Sequence, residues 1–256
     1  MGPPAPPEAR LEVHAPGELL AGASPLACGA GEVHAWAFEL AATPDALARC
    51  LQVLSADERA KGERFVREAL RERFRVAHGV LRHLLARYTG VAAERLAFGA
   101  GAEGKPFLEG EAHGRVSFNL SHSESRAVVV VAAAGDVGCD VERERRTDDL
   151  AGLVQGYFTR EESRRILEAA PGEQAREFFR HWVAKEAVLK AQGGGLSLPL
   201  DGFRVDFDET GEGARVVPFG NAPIRAGWHV RMRSLGEGWP VAVCAAGSDW
   251  TLVAPA

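Results

Sequence analysis

Two short segments put charge where a folded chain needs apolar surface, and they limit its possible folds more than any other feature. Gly138-Cys139-Asp140-Val141-Glu142 follows the apolar run Ala127–Ala134 and reads as a strand. Side chains alternate faces along a strand, so Asp140 and Glu142 share one face and Cys139 and Val141 the other. Trp182-Val183-Ala184-Lys185-Glu186-Ala187-Val188-Leu189-Lys190 reads as a helix. At ~100° per residue, Phe178, Phe179, Trp182 and Leu189 form one apolar arc, and Glu186 falls inside it. An unpaired buried carboxylate costs several kcal/mol, so Glu186 needs a cation that Asp140 and Glu142 can share. Three carboxylates offered to one place suit a hard divalent ion, most simply Mg²⁺.

The chain has 256 residues, of which 46% are hydrophobic, enough for one large or two ordinary domains. Its formal net charge of −5 argues against duplex nucleic acid as the main partner. The charge is uneven, with nine Lys and Arg against four Glu over residues 58–87. Such a local basic surface suits a small polyanion, although i,i+4 pairs on a solvated helix account for most of it. Cys28, Cys50, Cys139 and Cys244 show no C-x-x-C pair, as expected of reduced cytoplasmic thiols. The N-terminal residues lack the basic start and apolar core of a signal peptide, and Ala127–Ala134 is too short to span a bilayer. A soluble, cytoplasmic protein with no membrane partner is expected.

Residues 1–30 are rich in Pro, Gly and Ala and read as a loose leader. A strand is expected over Glu32–Leu40, then a helix opened by Thr43-Pro44, then a short helix capped by Ser55 with Glu58 three residues on. Arg64–Tyr88 reads as a long helix whose stripe of Val66, Leu70, Ala77, Leu81, Leu84 and Tyr88 also contains Arg73. A guanidinium there demands a carboxylate or a phosphate. Val116–Ser123 reads as a strand, Arg126–Ala134 and Val137–Glu142 as a strand pair joined at Gly135-Asp136, and residues 148–170 as helical. A second long helix, 172–192, stops at Gly193-Gly194-Gly195, and strands follow at 203–208, 228–233 and 240–245. Strand, helices, long helix and strands thus occur twice. We expect an α+β protein of two similar α/β-type subdomains, 31–125 and 126–256, related by a pseudo-twofold axis with the active site in the cleft.

The groups that bear chemistry are the three carboxylates together with Arg73, Lys105, His122 and Lys190. A divalent ion offsets charge on phosphate oxygens while Lys and His hold the rest, an inventory for breaking or transferring a phosphate or pyrophosphate. The chain has no Gly-x-x-x-x-Gly-Lys-Ser/Thr loop, so side chains and strand ends must bind any nucleotide.

Gly104-Lys105-Pro106, Phe118-Asn119-Leu120-Ser121-His122-Ser123, Gly138–Glu142 and Trp182–Lys190 resemble, in order and spacing, the signatures of the 4′-phosphopantetheinyl transferases. Gly195-Leu196-Ser197-Leu198-Pro199-Leu200-Asp201 and Val241–Ala246 extend the resemblance to the surfactin-synthetase-activator type, which serves nonribosomal peptide and polyketide synthases. It runs from about residue 30 to about residue 247. It implies transfer of the phosphopantetheine arm of coenzyme A to a serine of an apo acyl or peptidyl carrier protein, with release of 3′,5′-ADP. Asp140, Glu142 and Glu186 would then hold Mg²⁺ on the pyrophosphate. Lys190 would lie near the leaving group, and Glu186 or a metal-bound water would be the base. Lys61, Arg64, Arg73, Lys105, Pro106, Ser121, His122, Lys185 and Lys190 would contact coenzyme A, with His122 at a phosphate. Glu58 departs from the type, which is basic at that position. A groove after Asp148, with Leu153 and Phe158, would dock the carrier. One chain completes the cleft, so a monomer is expected. A metal-dependent nuclease or nucleotide hydrolase and a non-catalytic coenzyme A or carrier-protein binder are the alternatives. The lack of a basic stripe disfavours the first, and the full carboxylate set disfavours the second.

Overall fold

The computed structural model describes residues 9–195 and 198–255. Residues 1–8 of the expected leader, and Leu196 and Ser197 of the last motif but one, lie outside the described residues. Part of the leader, residues 10–21, is packed against the first sheet and its helices. A short strand β1 (Val13–His14) and a helix α1 (Pro16–Ala21) bury Leu11, Leu19 and Leu20. A lone Leu11 and the adjacent pair Leu19-Leu20 form no period, so the Pro and Gly content dominates the sequence pattern.

Then come β2 (Glu32–Glu39), α2 (Pro44–Val53), α3 (Ala56–Glu63) and α4 (Glu68–Thr89). Ser55 and Glu58 form the expected capping box on α3. The helix expected from Arg64 begins at Glu68, because residues 64–67 turn so that Phe65 meets Phe74, ring centroids 5.6 Å apart. Val66 and Leu70 are therefore exposed rather than part of the core stripe. A small hairpin, β3 (Ala97–Ala100) and β4 (Pro106–Glu109), precedes β5 (Ser117–Ser123) and β6 (Arg126–Ala132). After β7 (Val137–Val141) come α5 (Leu150–Tyr157), α6 (Arg160–Leu167), α7 (Gln174–Gln192), β8 (Phe203–Phe207), β9 (Gly213–Pro218), β10 (Trp228–Ser234), β11 (Pro240–Ala246) and β12 (Thr251–Val253).

These strands build two five-stranded sheets. The first has the order β1-β2-β6-β5, with β12 also pairing β2, and the second has the order β7-β11-β10-β9-β8. In each, the strand before the long helix pairs antiparallel with the last strand of the unit, which pairs with the one before it: β2-β6-β5 and β7-β11-β10. The repeat of elements expected from sequence is thus a repeat of topology in an α+β chain. Two boundaries shift. β6 pairs with β2 and β5 and not with β7, so the first sheet extends past residue 125 to Ala132, and the chain changes sheets at Gly135-Asp136. β12 returns to β2, so residues 251–253 also belong to the first sheet.

Strand alternation assigns the layers. Trp36 and Phe38 of β2, with Val129 and Val131 of β6, face α4 through Val76, Val80, Leu84 and Leu85. Val33, Ala35, Ala37, Val128 and Val130 face Val137, Cys139, Val141, Val241 and Val243, so the two sheets pack face to face. The far side of the second sheet packs on α7 through Val183, Ala187, Val188 and Ala191. Among the described residues no helix is long and apolar enough to cross a membrane.

Candidate active site

The site forms where β5, the edge of the first sheet, meets β7, the edge of the second. Along β5, Phe118, Leu120 and His122 face a cavity, and Asn119, Ser121 and Ser123 face β7. The Asn119 side chain accepts the Cys139 N–H at 3.0 Å. Ser121 donates to Asp140 Oδ1 at 2.8 Å, and Ser123 donates to Glu142 Oε2 at 2.7 Å. On β7, Asp140 faces α7. A Cβ at Gly138 would collide with the Ala187 carbonyl and the Ala191 N–H, so only glycine lets the helix lie this close to the strand. That close approach brings Lys190 Nζ to 2.5 Å from Asp140 Oδ1 and 2.9 Å from Ser121 Oγ.

Burial pushes the Asp140 carboxyl above the usual carboxylate range, against the pull of Lys190 and Ser121. Its Oδ2 is buried and has no hydrogen-bond partner. Glu186, one turn before Lys190, is also raised, by burial first and then by the charge of Asp140, with Glu142 contributing. Among the described residues Glu186 has no ion pair. Burial works against the charge on Lys190, yet Asp140 and the nearby anions hold its ammonium above the ordinary value. The three carboxylates thus lie within electrostatic reach of one another, but their oxygens do not all fall within 4.8 Å. Like charges repel, and the hydrogen bonds these carboxylates make go to protein donors: Lys190 and Ser121 to Asp140 Oδ1, Ser123 and Arg145 to Glu142 Oε2.

The donors fit a hard cation all the same. Every candidate ligand is a carboxylate oxygen, one is buried without a partner, and Asp140 and Glu186 are raised, by burial first and then by neighbouring carboxylate charge, which a divalent ion would offset.

A cavity of about 600 Å³ lies against this cluster. Its walls include Glu58 and Lys61 of α3, His78 and Arg82 of α4, Phe98, Pro106 and Phe118. His122 lies in its wall and is pushed below its ordinary value, by desolvation first and then by the charges of Lys190 and His78, which ties the cavity to the carboxylates.

Several expected contacts are placed differently. Ser121 and His122 lie on opposite faces of β5, so only His122 lines the cavity. Pro106 and Lys61 line it; Arg64 and Arg73 do not. The buried guanidinium of α4 is Arg82, not Arg73. Arg82 is 1% exposed and donates to Glu58 Oε2 at 2.7 Å and to the Ala93 and Leu96 carbonyls. Val66 precedes the helix and Leu70 is exposed, so the buried stripe of α4 begins only at Phe74 and leaves Arg73 half-buried. Lys105 clamps the end of α7 by donating to the Ala191 carbonyl at 2.6 Å and pairing with Asp136. Lys185 is a correction. It is wholly buried away from the cavity, bonded to Glu162 and to the Leu200 and Phe203 carbonyls, because it projects from the opposite side of α7. The sequence reading missed Arg82, His78 and Ser123; only the alternation along β5 signalled Ser123.

A tandem α+β chain with carboxylates and a lysine at the join of its halves, beside a cavity of about 600 Å³, has the parts expected of a group-transfer enzyme. Residues 136–244 match the 4′-phosphopantetheinyl transferase superfamily, and residues 39–135 match the N-terminal region of 4′-phosphopantetheinyl transferases. The 4′-phosphopantetheinyl transferase HetI of a Nostoc species is 38% identical over 168 residues, 65% of this chain and 70% of that protein. A 4′-phosphopantetheinyl transferase of Bacillus subtilis is 30% identical over 203 residues, 79% of this chain and 86% of its own length. Sfp, from Bacillus subtilis strain 168, is 27% identical over 204 residues, 79% and 86% of the two chains. The chain belongs to the 4′-phosphopantetheinyl transferase superfamily and is an enzyme of that type.

Proposed function

We propose that this chain moves the phosphopantetheine arm of coenzyme A, with Mg²⁺, onto a serine hydroxyl of apo acyl or peptidyl carrier proteins of polyketide or nonribosomal peptide synthases in the cytoplasm. The observation that carries this reading is the orphaned Asp140 Oδ2 beside Lys190 and Glu186, next to a cavity of about 600 Å³. The cavity suits a nucleotide, with Lys61 and His122 as donors to phosphate oxygens. Asp140, Glu142 and Glu186 are the residues that would hold Mg²⁺. When bound, the ion would offset the negative charge of the pyrophosphate.

The carrier serine oxygen forms a bond to the phosphorus that bears pantetheine, and the bond from that phosphorus to the bridging oxygen breaks, releasing 3′,5′-ADP. Lys190, held charged by Asp140, stabilises the charge that builds on the departing oxygen. Glu186 is the acceptor for the serine proton: burial and Asp140 raise its proton affinity, and it has no competing ion pair among the described residues. Ser121 and Ser123 orient Asp140 and Glu142. Residues 31–135 and 136–250 act as the two halves of the site.

Incubation with coenzyme A, Mg²⁺ and an apo carrier protein tests this. A carrier that gains one phosphopantetheine supports it; cleavage of coenzyme A without an adduct, or binding alone, overturns it. Glu186→Gln is expected to lower transfer by about 10²–10³-fold with an unchanged melting temperature. Full turnover by that variant would remove Glu186 from both its roles.

A further inference from the structure

We propose that Cys28, Glu32 and His34 form a second cation site, for a borderline-soft divalent ion such as Zn²⁺, at the end of the first sheet remote from the catalytic carboxylates. One donor atom from each of the three lies within 4.8 Å of the others, the one such group among the described residues. Glu32 and His34 are two residues apart on β2 and so share a face, and Cys28 returns over that face from the preceding turn. About 23 Å of strand separates Glu32 from Glu39, the end nearer the β5–β7 join, at a rise of ~3.3 Å per residue.

The surroundings are those of a ligand set. His34 Nε2 is 3.2 Å from Glu32 Oε2, and its Nδ1 is 2.7 Å from Tyr88 Oη. Oη also accepts the Trp36 indole N–H at 2.9 Å. The ring can adopt either tautomer, and the one that donates Nδ1–H to Tyr88 would leave the Nε2 lone pair for a metal, the usual arrangement around a ligating histidine. The Gly29 N–H donates to Glu32 Oε2 at 2.7 Å and orients the carboxylate. Cys28 Sγ points at the Glu32 and Val131 carbonyls, at 3.3 and 3.6 Å, on the same side. Tetrahedral coordination with Zn–S of ~2.3 Å and Zn–N of ~2.0 Å needs donor separations of roughly 3.3–3.7 Å, so a small contraction closes the site. Glu32 is partly exposed, which gives an entry path and leaves a fourth position for water.

One sulfur, one imidazole and one carboxylate favour Zn²⁺ over the Mg²⁺ suited to the all-oxygen cluster. Binding balances simply: the Cys28 thiol loses its proton to solvent, and thiolate and carboxylate neutralise the ion. The ion would join the turn at Cys28 to β2 and act on stability rather than on transfer.

Co²⁺ titration of the whole protein in excess Mg²⁺ tests this. One equivalent is expected to bind with a near-ultraviolet thiolate-to-cobalt band that Zn²⁺ displaces. Cys28→Ser is expected to abolish the band, and Glu32→Gln to weaken Co²⁺ binding at least ~10-fold with the band retained. Co²⁺ without a thiolate band would overturn the proposal, as would a band that survives Cys28→Ser or an affinity unmoved by Glu32→Gln. Zn²⁺ is also expected to raise the melting temperature of the native chain but not of Cys28→Ser, with the transfer rate equal in both.

Discussion

Helix α7 carries two lysine–carboxylate pairs five residues apart, and they behave as opposites. Lys185 meets Glu162 at 2.9 Å, and its remaining protons go to the Leu200 and Phe203 carbonyls at 2.7 and 2.5 Å. Glu162 in turn accepts from Thr159 N, Thr159 Oγ1 and Val205 N, at 3.0, 2.8 and 3.0 Å. This pair is sealed and satisfied, and it fastens α7 to the capping box of α6 and to β8. Lys190 meets Asp140 at 2.5 Å, yet Asp140 Oδ2 has no partner, the lysine side chain is 31% exposed, and Glu186 adds a raised carboxylate. A buried charge pair with every proton and lone pair used holds a fold together; a pair with a deficit beside a cavity is where a ligand belongs.

Removing one member of each pair is the strongest way to break this contrast. Lys185→Met leaves Glu162 buried without its cation and is expected to cost about 3–5 kcal/mol of unfolding free energy. Chemical denaturation measures it, and adding Glu162→Gln should recover part of the loss. Lys190→Met is expected to lower transfer by about 10²–10³-fold, since it removes charge stabilisation at the leaving group. Its stability cost should be well under that of Lys185→Met, because solvent reaches the site. Equal stability losses in the two variants would abolish the distinction.

The two pairs also mark what the sequence could and could not convey. Helical spacing puts Glu186 and Lys190 on one face, and strand alternation puts Asp140 and Glu142 on another, so those four residues are legible from local geometry alone. Lys185 lies between them in sequence and looks equivalent. Its fate depends on Glu162 and on the Leu200 and Phe203 carbonyls, 15 and 18 residues onward, which no local period encodes. Arg82 is hidden for a similar reason, since its partner Glu58 lies 24 residues away on another helix. The doubled order of elements was readable, but the sheet to which β6 belongs was not. A strand of Ala and Val can pair with either neighbour, and pairing is settled by apolar surface on both of its faces.

Glu58–Arg82 sharpens the contrast, being a satisfied pair that nevertheless forms part of the cavity wall. Despite its partial burial, bonds from His78 and the Ser55 N–H and the charge of Arg82 hold the Glu58 carboxyl at about 2, below its ordinary 4.5. A depressed carboxylate contributes its full stability above the unfolded pKa of about 4.5 and loses it as the pH falls towards 2. Glu58→Gln is thus expected to destabilise by at most about 3 kcal/mol near neutral pH, and by less than half of that near pH ~3. Urea unfolding at both pH values would show it. A penalty independent of pH would mean that the pair acts through packing rather than through charge.

The smallest effect concerns cations that no carboxylate claims. Among the described residues neither Lys61 nor Arg73 has an ion pair, but only Lys61 lines the cavity, its ammonium 5.7 Å from the Phe74 ring centroid. If an unclaimed charge matters only where a cavity collects it, Lys61→Ala should raise the KM for coenzyme A about 2–5-fold, a loss of ~0.5–1 kcal/mol typical of one exposed ionic contact. Arg73→Ala should change KM by less than about 2-fold, within the ordinary range of surface substitutions. Repeating both with coenzyme A lacking its 3′-phosphate locates the contact: the Lys61 effect should shrink if that phosphate is its partner. An Arg73 effect larger than that of Lys61, and lost with the same truncation, would place the phosphate outside the cavity described here and move the nucleotide along α4.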